Sequence, residues 1–231
     1  MMASMAIEEA IIDAVDGSSS FKHTSFMYLP SLFKESDTDT LLKIMQEYSF
    51  ATLVSQSDHG IQANHFPIHS CQSDGKVTLS GHMSRANPQW QTLEAQDEVL
   101  VIFQGPHAYV SPSWYAPGTH VPTWNYAAIH AYGKATLLTP QKTYDDMQSM
   151  VNHYEANQTS PWNLSLPESE KKEMLSAIVG FKIEIARLEG KLKLNQNRTR
   201  EDRLGVIAAL ESSKNQIDQK VACLMKKYTF T

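Results

Sequence analysis

The segment Gly81-His82-Met83-Ser84-Arg85-Ala86-Asn87-Pro88 combines residue types that could hold an anion. Arg85 is the only arginine before Arg187, and between Lys43 and Lys134 the only cations are Lys76 and Arg85. A glycine turn leading from a strand into a helix start brings backbone N–H groups, a serine hydroxyl and a guanidinium within reach of one phosphate. The same residues also suit an ordinary N-cap serine beside a surface arginine in a salt bridge. His65 and His69 stand four apart, which on one strand would put both rings on one face, the arrangement of a two-histidine chelate. No carboxylate or cysteine lies near enough in sequence to complete a metal site, so paired histidines on a strand are the simpler reading.

A second candidate is a stretch rather than a motif. From Val99 to Gly133, 35 consecutive residues contain no Asp, Glu, Lys or Arg, although 19% of the chain is charged. The stretch holds Trp114, Trp124, Tyr109, Tyr115, Tyr126 and Tyr132 together with His107, His120 and His130. Gln104, Ser111, Ser113, Thr123 and Asn125 are interleaved with the rings. Rings alternating with small polar groups line a site for a flat heteroaromatic ligand or a subunit interface, whereas rings alone would suit a dry core. Any of the three histidines could also serve as an axial ligand to haem.

Elements that would position these groups can be read from periodicity. Asp37 caps a helix bearing Leu41, Leu42 and Met45, and the helix should stop near Tyr48. Phe50 to Val54 and Ile61 to Ile68 form a hairpin about Asp58-His59-Gly60, with Pro67 marking an edge or bulge. Asp74-Gly75 turns the chain into Lys76 to Gly81, and Asn87-Pro88 opens a helix through Trp90 and Leu93. Val99 to Phe103 reads as a fully buried strand, followed by an uncharged loop from Gln104 to Pro122 and a long strand from Thr123 to Leu138. Helices begin at Thr139-Pro140, at Pro167-Glu168 and at the Thr199 to Asp202 capping box, and a further polar helix runs toward Lys227. Phe181, Ile183 and Ile185 alternate with Lys182, Glu184 and Ala186 as a half-buried strand that Leu192 and Leu194 continue. About six strands without strand-helix alternation predict a mainly β, antiparallel barrel with flanking helices. The expected organisation is a flexible arm over 1–25, one barrel domain over 26–212 and a C-terminal helix over 213–231.

Composition excludes several classes. Two cysteines far apart argue against a disulfide framework or a zinc knuckle and for a reducing, cytoplasmic setting. No apolar run reaches the roughly 18 residues of a membrane span, and the acidic N-terminus is unlike a secretory signal. Dinucleotide, P-loop, hydrolase and zincin motifs are missing. The net charge of −5 divides into −10 over residues 1–169 and +5 over residues 170–231, so a polyanion such as DNA would meet the last third. Lys191, Lys193, Arg198 and Arg200 cluster there, without a helix-turn-helix or zinc pattern around them.

Five ordered blocks carry a family resemblance. They are Met27-Tyr28-Leu29-Pro30, the Gly81 to Pro88 segment, Phe103 to Tyr115, Val121 to Tyr126, and Glu189 to Arg198. Together, from about Met27 to Leu210, they resemble the PaiB family of FMN-binding negative transcriptional regulators. The resemblance implies an FMN-binding split β-barrel, an antiparallel Greek-key barrel like that of pyridoxamine-phosphate oxidases, and a homodimer with two FMN sites at its interface. It implies phosphate contacts from Ser84 and Arg85, helped by Asn87. Asn64, His65, Phe66 and Pro67 would run along the isoalloxazine, and Ser80, Gly81 and His82 beside the ribityl chain. Trp124 and Asn125, together with Gln104, would close the site, from the same or the other subunit. Where oxidase relatives carry a cation on the flavin-flanking strand and a second one after the phosphate arginine, this chain has His65 and Ala86. The competing functions are a flavin-dependent oxidoreductase acting on a small-molecule ligand and a haem-binding or haem-degrading split-barrel protein.

Overall fold

The computed structural model describes residues 27–58 and 60–229. The arm expected over 1–25 lies outside the described residues, as does His59 of the first hairpin turn.

A 3-10 turn at Ser31–Phe33 leads into β1 (Lys34–Glu35) and α1 (Thr38–Glu47). The Asp37 carboxylate caps α1 by accepting the Thr40 N–H at 2.9 Å. Four strands follow, β2 (Phe50–Ser57), β3 (Gly60–Pro67), β4 (His69–Ser73) and β5 (Lys76–Ser84). Asp74 and Gly75 both have positive φ, 52° and 74°, the left-handed pair that a two-residue hairpin needs between β4 and β5. After a single helical turn, α2 (Trp90–Leu93), come β6 (Val99–Val110) and β7 (Thr123–Leu137). The rest comprises α3 (Pro140–Glu155), α4 (Glu168–Ala177), β8 (Ile178–Lys193), α5 (Arg200–Glu211) and α6 (Gln216–Tyr228). Thr139 and Thr199 cap α3 and α5 with their hydroxyls, at 3.4 and 3.1 Å from the N–H of Lys142 and Asp202.

The strands pair in the order β3-β2-β6-β7-β8-β5-β4, all antiparallel, with β1 added beside β8. β3 and β4 stand at opposite ends of this order, yet only Ile68 separates them in the chain. A one-residue link cannot cross an open sheet, so the sheet curls until its two ends meet. At the seam, Phe66 of β3 packs edge-on against Phe181 of β8 with ring centroids 5.9 Å apart. Pro67 sits at the end of β3, on an edge, where its missing N–H costs no ladder bond. The fold is therefore a split barrel of eight antiparallel strands with helices around it. Leu53, Leu79, Phe103, Ile129, Phe181 and Ile183 fill its centre without exposure. Val206, Ile207 and Leu210 of α5 and Val221, Ala222 and Met225 of α6 belong to the same core.

One difference from the sequence expectations has a clear cause. β6 does not stop at Phe103 but runs on to Val110, so the expected loop shrinks to residues 111–122. Gly105 and Pro106 are absorbed as a bulge, because the register jumps from Gln104↔Ala128 to His107↔Tyr126 and leaves both opposite Ala127. A bulge is where a strand tolerates proline. The second bulge interrupts β7 and β8 between Tyr132 and Gly133. There a Cβ on Gly133 would lie 2.1 Å from the Glu184 carbonyl oxygen. Gly133→Ala is accordingly expected to lower stability by roughly 3 kcal/mol, seen as a lower denaturation midpoint with an unchanged slope in guanidinium titration.

Candidate functional site

The anion-type segment leaves β5 at the mouth of the barrel. The Ser84 hydroxyl oxygen accepts the Ala86 N–H at 3.2 Å and the Asn87 side-chain oxygen accepts the Gln89 N–H at 3.0 Å, so both oxygens shape the turn itself. Arg85 makes no ion pair among the described residues. Its Nε donates to the Ser176 carbonyl at 2.8 Å and its Nη2 to the Ile178 carbonyl at 2.9 Å, so the guanidinium caps the C-terminal end of α4. These two bonds use two of five guanidinium protons and fix its plane while leaving the rest for a ligand.

Gln89, which sequence reasoning did not single out, ties this turn to the barrel. It is fully buried; its Nε2 donates to the Leu53 carbonyl at 3.2 Å and to Ser55 Oγ at 3.0 Å. Its Oε1 accepts from Asn64 Nδ2 at 3.0 Å, which draws Asn64 toward the Ser84–Asn87 turn. A lone glutamine beside a proline carries no sequence signature; only its enclosure by β2 and β3 makes it structural.

Along β3 the side chains alternate, so His65 points to the other side of the sheet from Asn64. It stacks on Phe50 with centroids 6.1 Å apart and planes 22° from parallel. Both rings line an outer groove of about 480 Å³ with Thr52, Ile102, Gln104 and His107, walled on one side by Ile217 and Lys220 of α6. Gln104 and His65 thus line one groove. The Gly105-Pro106 bulge restores the alternation after Gln104, so that His107 and Tyr109 also face outward. Trp124 continues this surface, 6.1 Å from the His107 ring and 6.0 Å from the Tyr109 ring.

The remaining predicted residues lie elsewhere. Phe66 is core, Gly81 is wedged between Phe181 and the Pro67 carbonyl, and Asn125 is fully buried with its Nδ2 3.4 Å from the Met225 sulfur. The Asn125 Oδ1 is buried and has no hydrogen-bond partner. Ser80 and His82 lie on the outer side of β5 beneath α3, where Ser80 Oγ donates to Asp146 at 2.5 Å. Desolvation holds the His82 imidazole below its usual pKa, against the opposing pull of Asp146, and its buried Nδ1 has no hydrogen-bond partner. His65 and His69 do not converge, since Ile68 sends the chain to another strand and His69 faces His153 at 6.3 Å. Among the described residues no cluster of three or more His, Cys, Asp and Glu is arranged to hold a metal. His120 bonds the Ala116 carbonyl at 2.9 Å, and His130 lies 3.3 Å from the Tyr132 hydroxyl.

The split-barrel fold that carries this turn and groove defines a class also seen in solved structures. The chain shares its fold with a FAD and heme binding protein from Mycobacterium smegmatis (TM-score 0.54, 14% identity, 69% of this chain and 73% of that one). It shares it equally with a flavocytochrome from Azotobacter vinelandii (TM-score 0.54, 15% identity, 74% and 75%). Within that class the chain belongs to the family described as "Putative FMN-binding domain", whose model matches residues 27–187. It is 39% identical over 202 residues to the Protease synthase and sporulation protein PAI 2 of Bacillus subtilis, covering 87% of this chain and 97% of the relative. That match shows the PaiB resemblance read from the sequence. An uncharacterised protein of Emericella nidulans is 31% identical over 243 residues, again covering 87% and 97%. The residues present fit a flavin, because the groove offers stacking rings and Gln104 while Arg85 keeps guanidinium protons for a phosphate.

Two outcomes follow from this geometry. Gln89→Leu would leave the Leu53 carbonyl, Ser55 and Asn64 without their partner, and a loss of about 2 kcal/mol is expected in chemical denaturation. His82 and His130 both have folded-state pKa values lowered by burial, so in the window beneath 6.5 the unfolded chain binds more protons. Stability should then be full above that value and fall as pH drops toward 5; His82→Gln should flatten the fall in a pH series of thermal melts.

Proposed function

We propose that the protein is a homodimeric, cytoplasmic, FMN-binding regulator of the PaiB type, with the flavin held where two copies meet. The observation that carries this reading is the ring-rich outer face formed by β2, β3, β6 and the start of β7, whose own residues there carry no charge. Phe50 is 68% and Trp124 52% exposed there, beside His65, Ile102, Gln104, His107 and Tyr109. A strand surface rich in rings, with Lys220 of α6 at its edge as the charged member of the groove lining, is costly to leave in water and typical of the centre of an interface. Two copies facing each other across it would enclose the groove, placing Trp124 of one over His65 and Gln104 of the other. Arg85 would hold the phosphate end, with Ser84 beside it and Asn64 bracing the turn through Gln89.

When bound, FMN supplies one- and two-electron redox chemistry. The chain's own part is to exclude water from the ring with Phe50 and Trp124, and to offer Gln104 and His65 as hydrogen-bonding groups at its edge. Regulation is proposed to act through the flavin or a small ligand in the groove rather than through a basic DNA surface. The cations of the last third support this, since Arg198 lies over the Tyr115 ring at 4.9 Å and Lys193 bonds the Trp124 carbonyl at 2.8 Å.

An absorption spectrum of the purified protein tests the reading: flavin bands near 370 and 450 nm are expected, and a Soret band would mean haem instead. Arg85→Ala should weaken FMN by about 10- to 100-fold in a fluorescence titration, the worth of a charge-assisted phosphate contact. Trp124→Glu should convert the dimer to a monomer in light scattering, without loss of fold, because the side chain is half exposed within one copy. Rapid reduction by NADH or NADPH would identify a flavin oxidoreductase instead.

A further inference from the structure

Arg85 does not stand alone at the end of the barrel. It opens onto a cleft of about 440 Å³ between the start of α3 and α4, lined also by Gln141, Glu168, Lys171, Lys172 and Ser176. We propose that this cleft seats the phosphate group of FMN and that Lys171 and Lys172 supply the cations which the turn after β5 lacks. The inference rests on the flavin reading above.

Four observations support it. First, Ser84 Oγ accepts the Ala86 N–H and Asn87 Oδ1 the Gln89 N–H, so the side chains flanking Arg85 in the β5 turn have only neutral donors left for an anion, the Ser84 O–H and the Asn87 amide N–H groups. Second, Ala86 follows Arg85, so the turn offers a single positive charge to a group that carries close to two negative ones. Third, the carbonyls of Ser176 and Ile178 pin the guanidinium against the C-terminal end of α4, the same helix that carries both lysines. The cleft therefore holds three cations against one carboxylate, Glu168, and the first residues of α3, Pro140 and Gln141, bring the positive end of a helix of 16 residues to its rim. Fourth, Lys171 is held only loosely, donating to Gln141 Oε1 at 3.3 Å with its ammonium 4.1 Å from the centre of the Tyr144 ring. An exposed neutral acceptor is exchanged readily for a phosphate oxygen, which makes the stronger bond.

The alternative is that Lys171 and Lys172 form only a solvated helix face and that Arg85 only caps α4. Titration of the full chain with FMN and with riboflavin, which lacks the phosphate, separates the two. Lys171→Gln together with Lys172→Gln removes both charges while keeping long stems over Tyr144. In that variant the dissociation constant for FMN is expected to rise about tenfold, with riboflavin unchanged within a factor of about two. An FMN constant equal to that of the wild type overturns the cleft assignment and leaves the flavin reading standing. Equal weakening of both flavins also overturns it, since the lysines would then act on the protein and not on the phosphate. A wild-type chain that binds neither flavin overturns the flavin reading and this inference with it.

Discussion

Everything in this protein hangs on a link one residue long. Pro67 ends β3 and His69 begins β4, yet the two strands lie at opposite ends of the sheet order, so the sheet must close on itself. Closure puts Gly81 against the Pro67 carbonyl and the Phe181 ring, where an added Cβ would come within 3.0 Å of the ring and 3.3 Å of the carbonyl oxygen, and brings the end of β5 to the barrel mouth. The turn carrying Ser84 and Arg85 then has a defined neighbour in Asn64, reached through the buried Gln89. A site assembled from β3 and β5 exists because the barrel closes there.

The two bulges divide the labour on the other side. One in β6 keeps His107 and Tyr109 on the outer face after Gly105 and Pro106, extending a neutral surface from Phe50 to Trp124. The other, at Gly133, marks where charge resumes: Arg187 stacks over Tyr132 at 4.0 Å and pairs with the buried Glu189 at 3.3 Å, and Glu189 also receives the Met27 N–H. Lys191 is buried beside it and donates to the Tyr28 carbonyl. The start of the Met27 to Pro30 block is thus pinned on β8. Burial of such charges is tolerated because Glu189 is paired with Arg187 and Lys191 is held by the Tyr28 carbonyl and the rings of Tyr28 and Tyr126.

Much of the architecture was legible in the residues. The caps at Asp37, Thr139 and Thr199 and the Asp74-Gly75 turn depend on contacts within four residues, which local chemistry decides. The strand from Thr123 shows period-two burial as far as Ala131, and the family blocks were recognisable without coordinates. The long reach of β6 was hidden, because Gly-Pro reads locally as a stop and only a partner strand can turn it into a bulge. The candidate site was legible by type and less so by arrangement. His65 and Gln104 share a groove, whereas Asn125 turns inward against Met225 and Ser80 lies under α3 with Asp146. Period alone does not say which face of a strand a helix will cover.

The sequence by itself determined that this is an antiparallel β protein with a charge-free aromatic segment and a single early arginine, since composition and short-range periodicity need no partner. Tertiary structure alone decided what those features touch. Arg85 meets α4 and its lysines, Gln89 fastens the turn to β2 and β3, and α6 becomes a wall of the groove. Each of these pairings joins residues far apart in the chain, and the free energy that selects them is burial and hydrogen-bond satisfaction in the closed barrel.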